Sequence, residues 1–135
     1  MDAQQELFTV LLAKLKATYK DTDIGVYDTV LPDLDTPYPF VYLADSQLVD
    51  DYGNKSMVFG TITQTIDVWS DNPKKRGTLS AIMNEVKVLC RALTATSNYY
   101  FTVTNISQRI TADTTTGTTL MRGTLDIDFK IIGGK

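Results

Sequence analysis

The sequence of 135 residues contains no histidine and only one cysteine, Cys90. The absence of histidine removes the commonest general base and the commonest protein ligand of a metal ion. A single cysteine forms no intrachain disulfide, although a secreted domain of this size usually carries several. We therefore expect neither a histidine-activated nucleophile nor a disulfide-stabilised extracellular domain, and the composition favours a reducing compartment.

The sequence also lacks a strong excess of either charge, because thirteen Lys and Arg residues stand against sixteen Asp and Glu residues, a formal net charge of −3. That balance argues against the basic surface of a nucleic-acid-binding domain. The one basic cluster, "PKKRG" at residues 73–77, could contact a phosphate, but a solvated helix entry is the better interpretation. Neither a signal peptide nor a membrane-spanning run is expected. The length fits a single domain over residues 1–135.

Two stretches have the apolar periodicity of amphipathic helices. The first covers residues 3–19. The second begins after Asp71 or Asn72 as N-cap, with Pro73 in its first turn. Its apolar stripe consists of Leu79, Ile82, Met83, Val86, Leu89, Cys90 and Leu93. Because Cys90 lies within this stripe, we expect a buried structural thiol and not a nucleophile.

Five other stretches have the apolar or alternating pattern of strands. They cover residues 24–29, 40–44, 57–70, 98–110 and 120–132. Prolines at positions 32, 37 and 39 exclude regular structure between the first two strands. Residues 45–56 are predicted to form a long polar loop, and the threonine-rich residues 111–119 a flexible one. Both loops are expected to become ordered only on assembly.

The element order is therefore α-β-β-β-α-β-β, which predicts an α+β fold with a mainly antiparallel sheet and two α-helices packed on one face. Strands joined without a helical crossover are expected to be antiparallel. The predicted core combines the apolar faces of both helices and three strands. Its members are Leu11, Leu15, Ile62, Ile66, Val86, Leu89, Leu93, Leu125, Ile127 and Phe129.

Asp126 and Asp128 are the best candidates for a cation site, because alternate residues of a strand share a face and two carboxylates could share a cation. Arg122 and Lys130 fall on the same face, however, and a mixed-charge face exposed to solvent or to another subunit is favoured. The acidic pair at residues 50–51 lacks the spacing of an EF-hand, and no glycine-rich phosphate loop is present. We predict no catalytic residue, no cofactor and no metal.

Four pieces of the sequence, in this order, resemble the tail-completion family of long-tailed bacteriophages, the tail-to-head joining or tail-terminator proteins. They are Val-Tyr-Asp at 26–28 before the proline-rich loop, Pro-Phe-Val-Tyr-Leu-Ala-Asp at 39–45, Val-Trp-Ser at 68–70 before the second helix, and the final strand "GTLDIDFKI" at 123–131. The resemblance covers nearly the whole chain in order and length. The threonine-rich segment 111–119 matches no motif of that family.

The resemblance implies a structural role. Such proteins form a ring, typically a hexamer, which caps the tail tube and joins the tail to the head connector. The implied partners are further copies of the chain, the head-connector or stopper protein and the tail-tube protein, with no membrane. DNA would pass through the lumen without specific binding. The implied location is the head–tail interface of the virion, and the host cytoplasm during assembly.

Three other interpretations are kept open. The chain could be a different neck component, such as a head-closure adaptor or a tail-tube-like subunit. It could also be a small metal-binding or ligand-binding domain that uses Asp126 and Asp128. An enzyme is the least favoured, because histidine and catalytic motifs are missing.

Ring subunits need surfaces that reach their neighbours, so we predict an interface in the polar segment 45–56 and on the polar face of the last strand. For residues 111–119, an interface and a solvated loop are equally well supported. The residues predicted at the interface are Asp45, Ser46, Gln47, Asp50, Asp51, Tyr52, Arg122, Asp126, Asp128 and Lys130.

Overall fold

The computed structural model describes residues 1–33, 35–51, 59–114 and 117–135. Helix α1 spans Ala3–Thr18, and strands β1 and β2 span Gly25–Asp28 and Phe40–Asp50. Strand β3 covers Gly60–Ser70, and a 3-10 turn at Pro73–Lys75 leads into helix α2, Arg76–Ala92. Strands β4 and β5, Tyr99–Asp113 and Leu120–Gly134, complete the chain. The predicted α+β class and element order are confirmed.

Local side-chain caps mark where the helices begin. Asp2 precedes α1, and its carboxylate accepts a 2.8 Å hydrogen bond from the Gln5 amide. Asn72, one of the two residues predicted to cap the second helix, instead caps the 3-10 turn before it, where it accepts a 3.0 Å bond from the Lys74 amide. Helix α2 itself follows Lys75 without a side-chain cap. Each cap satisfies an amide that lacks a partner within the first turn of its helix. The basic cluster at residues 74–76 is exposed at this entry.

The five strands form one sheet in the order β1-β2-β3-β5-β4. The pairs β2–β3, β3–β5 and β4–β5 are antiparallel, as predicted. Strand β1 is parallel to β2, with Gly25 opposite Phe40, so the sheet is mixed and the antiparallel expectation is wrong at this edge. The physical reason is the proline-rich connection at 29–39. Parallel neighbours need about a dozen connecting residues, and this segment is long enough to return the chain to the start of β1.

Two strands run further than the sequence predicted. Strand β2 continues through residues 45–50, and Asp50 pairs with Gly60, so this part of the predicted loop is wrong. Strand β4 extends to Asp113, which pairs with Leu120, so residues 111–113 are also strand. An antiparallel ladder satisfies the backbone while exposed polar side chains face solvent, and threonine favours such positions. Residues 52–56 and 115–116 of the two predicted loops lie outside the described residues.

The core lies between the two helices and one face of the sheet. Nine of the ten predicted core residues are buried. The tenth, Leu89, is only half-buried, because it borders a shallow groove between α1 and α2 that Lys14 and Ala17 also line. Helix α2 packs closely on β5 at Gly123, where an added Cβ atom would overlap the flexible end of the Met83 side chain and force it to move.

A buried carboxylate ties α1 to the segment before β4. Glu6 is 5% exposed and accepts hydrogen bonds from Asn98 Nδ2 (2.7 Å), Thr96 Oγ1 (2.8 Å) and the Asn98 amide (3.0 Å). The Asn98 side-chain bond is the largest cause that lowers the pKa of Glu6 below its ordinary value, although burial acts in the opposite direction. The charged carboxylate is therefore the form that the fold stabilises.

Candidate functional site

Among the residues that the structure describes, no helix covers one face of the sheet, and that face is polar along β3 and β5, as predicted. We call it the helix-free face. Opposite pairs across β3 and β5 include Thr63 with Asp128, Thr65 with Asp126, and Trp69 with Arg122. Its residues on these two strands are Thr61, Thr63, Thr65, Asp67 and Trp69 of β3 and Arg122, Thr124, Asp126, Asp128 and Lys130 of β5.

The centre of the helix-free face carries two equivalent hydrogen bonds. Thr65 Oγ1 donates to Asp126 Oδ1, and Thr63 Oγ1 donates to Asp128 Oδ1, each at 2.6 Å. Both carboxylates are half-buried. Each therefore has one oxygen engaged by a threonine of β3 and further lone pairs for water or a partner. We call this pair of carboxylates the acidic centre.

The acidic centre is poorly suited to hold a cation. Within the described ranges, no group of three or more His, Cys, Asp or Glu side chains comes together. Calcium takes six to eight oxygen ligands, and two carboxylates on an open sheet face supply few of them. Asp50 and Asp51 are exposed at the end of β2, away from Asp126 and Asp128 in the ladder.

Arg122 is engaged at one end of the face and not with the acidic centre. Its Nη2 lies 3.1 Å from Asp67 Oδ2, and its guanidinium lies over the Trp69 ring at 5.3 Å from the centroid. The Asp67 side chain is 4% exposed and that of Arg122 is 41% exposed. A buried carboxylate thus has its counter-ion at the surface. Lys130 lies exposed toward the other end of the face.

This cluster keeps unused hydrogen-bonding capacity. Asp67 Oδ1, Trp69 Nε1 and Arg122 Nε are buried and have no hydrogen-bond partner in the part of the chain that the structure describes. Buried polar atoms are nearly always paired in native proteins. The cluster is therefore the least satisfied polar group on this face.

Aromatic rings continue from Trp69 onto β2. Phe40 stacks on Trp69 with centroids 6.5 Å apart, and Tyr38 and Tyr27 pack against Phe40 at 5.3 and 5.6 Å. Beside them lies a cavity of 150 Å³ that Asp113, itself engaged in another interaction, also borders. We call this cavity the aromatic pocket. Its other lining residues are Leu31, Pro32, Tyr38, Phe40, Trp69 and Leu120.

The predicted interface residues of β2 are divided between two faces. Gln47 lies opposite Thr63 and joins the helix-free face. Ser46 lies opposite Gln64 on the helix side, where its hydroxyl accepts a 2.9 Å hydrogen bond from Gln4 of α1. The structure thus brings Gln47 together with Arg122, Asp126, Asp128 and Lys130, but not Ser46. Asp45 is exposed, and Tyr52 lies outside the described residues.

Sequence reasoning missed Gln64, which is 1% exposed and supports an irregularity in β2 between Leu43 and Ser46. Its Nε2 lies within hydrogen-bonding distance of the carbonyl oxygens of Ala44 (3.2 Å), Asp45 (3.1 Å) and Thr65 (2.9 Å). The break in register separates Asp45 from the regular ladder. The sequence did contain a signal for this feature, because Gln64 occupies a core-facing position of an alternating strand where an apolar residue is expected.

The aromatic pocket was also missed. The signal was the single tryptophan at the end of a strand, together with tyrosine and phenylalanine directly after a proline-rich segment. Phe40 meets Trp69 through the antiparallel pairing of β2 with β3, and Tyr27 meets Phe40 through the parallel pairing of β1 with β2. The sequence did not reveal either register.

Cys90 is buried in the α2 face, as predicted. Burial raises the pKa of its thiol to about 12, with Arg91 acting weakly in the opposite direction. The thiolate, which is the reactive form, is therefore almost unpopulated at neutral pH. None of the described helices is both long and apolar enough to cross a membrane.

Comparisons with known proteins place the fold but not the family. No family model matches the sequence, and no curated protein matches it. One solved chain of similar structure comes from the "Virion of native gene transfer agent (GTA) particle". It superposes with a TM-score of 0.63 at 19% sequence identity and covers 96% of this chain and 93% of that one. At that identity the similarity shows a shared fold over nearly the full length of both chains.

Proposed function

We propose that this chain is a structural component of a phage-like virion. The observation that carries the proposal is the full-length similarity of its fold to a chain of a gene transfer agent virion particle. A shared fold alone is weak evidence of function. It gains weight here because the sequence motifs at 26–28, 39–45, 68–70 and 123–131 independently resemble a family of phage tail proteins.

Within the virion, the proposed role is that of a tail-completion protein that caps the tail tube and joins the tail to the head connector. Copies of the chain would form a ring, expected to be a hexamer, and would contact the head-connector or stopper protein and the tail-tube protein. The protein would occupy the head–tail interface of the virion after assembly in the host cytoplasm. The proposed mechanism is assembly and not catalysis.

The helix-free face supports an assembly role. The helices cover only the other face, so this one must meet water, another subunit or the lumen of a ring. Its acidic centre, Asp126 and Asp128, would repel the phosphates of DNA passing through a lumen, so that the DNA slides without specific binding. Arg122 and Lys130 place a positive charge on either side of the acidic centre, and such a row of opposite charges would suit contact with a neighbouring copy.

A different neck component, namely a head-closure adaptor or a tail-tube-like subunit, is the alternative that the fold similarity also fits. A tail terminator should be encoded directly before the major tail-tube protein, whereas the alternatives need not be. A metal-binding role is not favoured, because the two carboxylates of the acidic centre supply few of the oxygen ligands that a cation such as calcium takes, and no third acidic, His or Cys side chain joins them among the described residues.

Deletion of the gene from the phage or prophage that encodes it tests the role directly. The proposal predicts filled heads without tails, together with tails whose tubes are abnormally long or unjoined, seen by negative-stain electron microscopy. Complementation with the wild-type gene should restore joined particles. Normal joined particles in the deletion strain would overturn the proposal, and missing heads would point to a capsid role instead.

A further inference from the structure

We infer that the outer edge of strand β4 pairs with the same edge of a second copy, so that two copies of the chain join their sheets about a twofold axis. The inference rests on backbone groups that the fold leaves unpaired, on two half-buried isoleucines and on the alternation of side chains along this edge. A twofold contact closes at two copies. It therefore describes the free chain and does not depend on the virion proposal.

Strand β4 leaves one edge of the sheet open. It is the last strand in the order β1-β2-β3-β5-β4 and pairs with β5 on one side only. Residues 94–96 cover the outer side of its start, where the Phe101 amide donates to the Thr94 carbonyl oxygen at 2.8 Å. Among the described residues, the backbone of residues 102–112 makes no hydrogen bond outside its ladder with β5. The outward amides and carbonyls of this segment are therefore available to another strand.

This edge lacks the features that usually keep edge strands apart. Natural edge strands are commonly short, bulged, or interrupted by lysine or proline. The opposite edge follows that rule, because β1 has only four residues. Residues 105–112 contain neither lysine nor proline, and they pair with β5 without a shift of register. They form a regular template on which a further strand can add.

The side chains of β4 indicate which strand fits. Ile106 and Ile110 lie on the helix side and are half-buried, packed against the core from the edge. An added strand with apolar side chains on the helix side and polar ones on the helix-free face would complete their burial. The edge itself has this alternation, because its residues on the helix-free face are polar and exposed, namely Asn105, Ser107, Arg109 and Thr111.

One antiparallel register suits the helix side. When Gln108 of one copy lies opposite Gln108 of the other, Ile106 of each copy lies opposite Ile110 of the other. Directly opposite β-branched side chains are a favourable cross-strand pair. Gln108 Oε1 accepts a 2.7 Å hydrogen bond from Lys87 of α2, which leaves the amide nitrogen of Gln108 to donate across the contact.

The same register suits the helix-free face. Arg109 of one copy lies opposite the small Ser107 of the other, and Ser107 lies opposite Asp126 in the ladder with β5. The guanidinium can therefore reach across the serine to Asp126. Asp126 Oδ1 is engaged by Thr65, so its second oxygen is the acceptor. A register centred on Arg109 would instead set two arginines against each other, which is unfavourable.

A head-to-tail contact, in which β4 pairs with β1 of another copy, fits less well. Strand β1 offers only Gly25–Asp28, so most of the open edge would stay uncovered. The carbonyl oxygen of Asp28 already accepts a 2.7 Å hydrogen bond from the Val30 amide. The twofold contact between two β4 edges pairs more of the backbone.

Cross-linking tests the register. The native cysteine, Cys90, is buried, so an introduced thiol reports alone. Gln108→Cys should form a disulfide-linked dimer with oxidised glutathione, because the two thiols face each other across the axis. Asn105→Cys is the matched control on the same exposed edge. In this register its two copies lie six residues apart along the strands, about 20 Å, so it should remain unlinked.

Sedimentation equilibrium tests the contact without a cross-link. The wild type should show a reversible monomer–dimer equilibrium with a dissociation constant of about 100 µM or below, as suits a small interface. Ser107→Lys sets a cation opposite Arg109 of the other copy and should weaken the dimer at least about tenfold. Thr9→Lys adds the same charge on α1, which packs over β1 and β2, and should change nothing. Circular dichroism checks that both variants fold.

A chain that stays monomeric at about 1 mM would overturn the inference and leave the edge to a strand of another protein. Equal cross-linking of Asn105→Cys and Gln108→Cys would overturn the register. Complexes larger than two copies would assign the edge to a head-to-tail contact, and a dimer that Ser107→Lys does not weaken would lie elsewhere on the surface. All of these measurements use the isolated chain, so they are decided separately from the gene-deletion experiment.

Discussion

Thr65 Oγ1 lies 2.6 Å from Asp126 Oδ1, and the same arrangement repeats between Thr63 and Asp128. Each carboxylate of the acidic centre therefore has one oxygen held by a threonine of the neighbouring strand. Short hydrogen bonds to charged oxygens are among the stronger ones in proteins. The helix-free face thus presents two carboxylates, oriented by β3, at its centre.

The first prediction is that Asp126→Lys combined with Asp128→Lys leaves the monomer folded but prevents assembly. The variant loses two side-chain hydrogen bonds, which should lower the free energy of unfolding by about 1–3 kcal/mol in total. Circular dichroism and a urea titration report the fold, and complementation of the deletion strain reports assembly. Full recovery of infectious particles by the folded variant would remove this face from the mechanism.

The matched control is Asp126→Asn combined with Asp128→Asn. Asparagine keeps an oxygen that can accept from Thr63 and Thr65 but removes the charge. If charge matters, this control should fall between the wild type and the lysine variant in complementation. If it complements like the wild type, the hydrogen bonds and not the negative charges are what assembly requires.

A second prediction concerns the acid sensitivity of the Glu6 contacts. The hydrogen bonds from Asn98 and Thr96 lower the folded pKa of Glu6 from its ordinary, unfolded value. Its contribution to stability is therefore fully present above the unfolded pKa and is lost as the pH falls through the lower folded pKa. Glu6→Ala should lower the melting temperature at neutral pH, and the difference from wild type should shrink in acid.

Melting curves by circular dichroism between about pH 7 and pH 3 check this prediction. Asp21→Ala, which removes an exposed carboxylate, is the control and should melt like wild type at each pH. A pH-independent difference between Glu6→Ala and wild type would show that packing, and not the charged contacts to Thr96 and Asn98, holds α1 in place.

The third prediction separates the centre of the core from its edge. Leu125→Ala should lower the free energy of unfolding by about 2–5 kcal/mol, because Leu125 is fully buried and its removal leaves a cavity. Leu89→Ala should cost clearly less, because Leu89 is half-buried beside the groove between the helices. Urea denaturation of both variants measures the difference. Equal losses would mean that Leu89 belongs to the core, as its spacing first suggested.

The fourth prediction concerns Cys90. With its thiol buried and its pKa raised to about 12, it should not react with a thiol-specific reagent such as DTNB in the native protein at neutral pH. Reaction of one thiol per chain is expected once urea unfolds the protein. Rapid labelling of the folded protein would contradict the placement of α2 against the sheet.

The sequence predicted the elements well where hydrophobic periodicity was long and regular. Regular spacing shows which side of an element is buried. Examples are the four-residue spacing from Leu7 to Leu15 and the alternation of Ile62 and Ile66 with threonines. Most buried side chains of this fold lie between the helices and one face of the sheet, so this information locates the core. The apolar and polar faces of β5 were assigned for the same reason. These assignments need no knowledge of which strand lies beside which.

The parts that sequence reasoning missed depend on pairing between distant residues. Residues 45–50 are polar and resemble a loop, yet they form a strand because β3 offers them a ladder. The Asp67–Arg122 pair exists because β3 neighbours β5. The aromatic pocket exists because the pairing of β2 with β3 sets Phe40 opposite Trp69 and the pairing of β4 with β5 sets Asp113 opposite Leu120. No local sequence pattern shows which strands lie side by side. The acidic centre could therefore be predicted from the sequence, whereas the aromatic pocket could not.

The most direct test of the proposed role is a cryo-electron microscopy reconstruction of the virion that contains this chain. The expected result is a closed ring of copies between the head connector and the tail tube, with the helix-free face directed to the lumen or to the neighbouring subunit. Density for the chain along the tail tube or in the head shell, or no density in the mature particle, would contradict it.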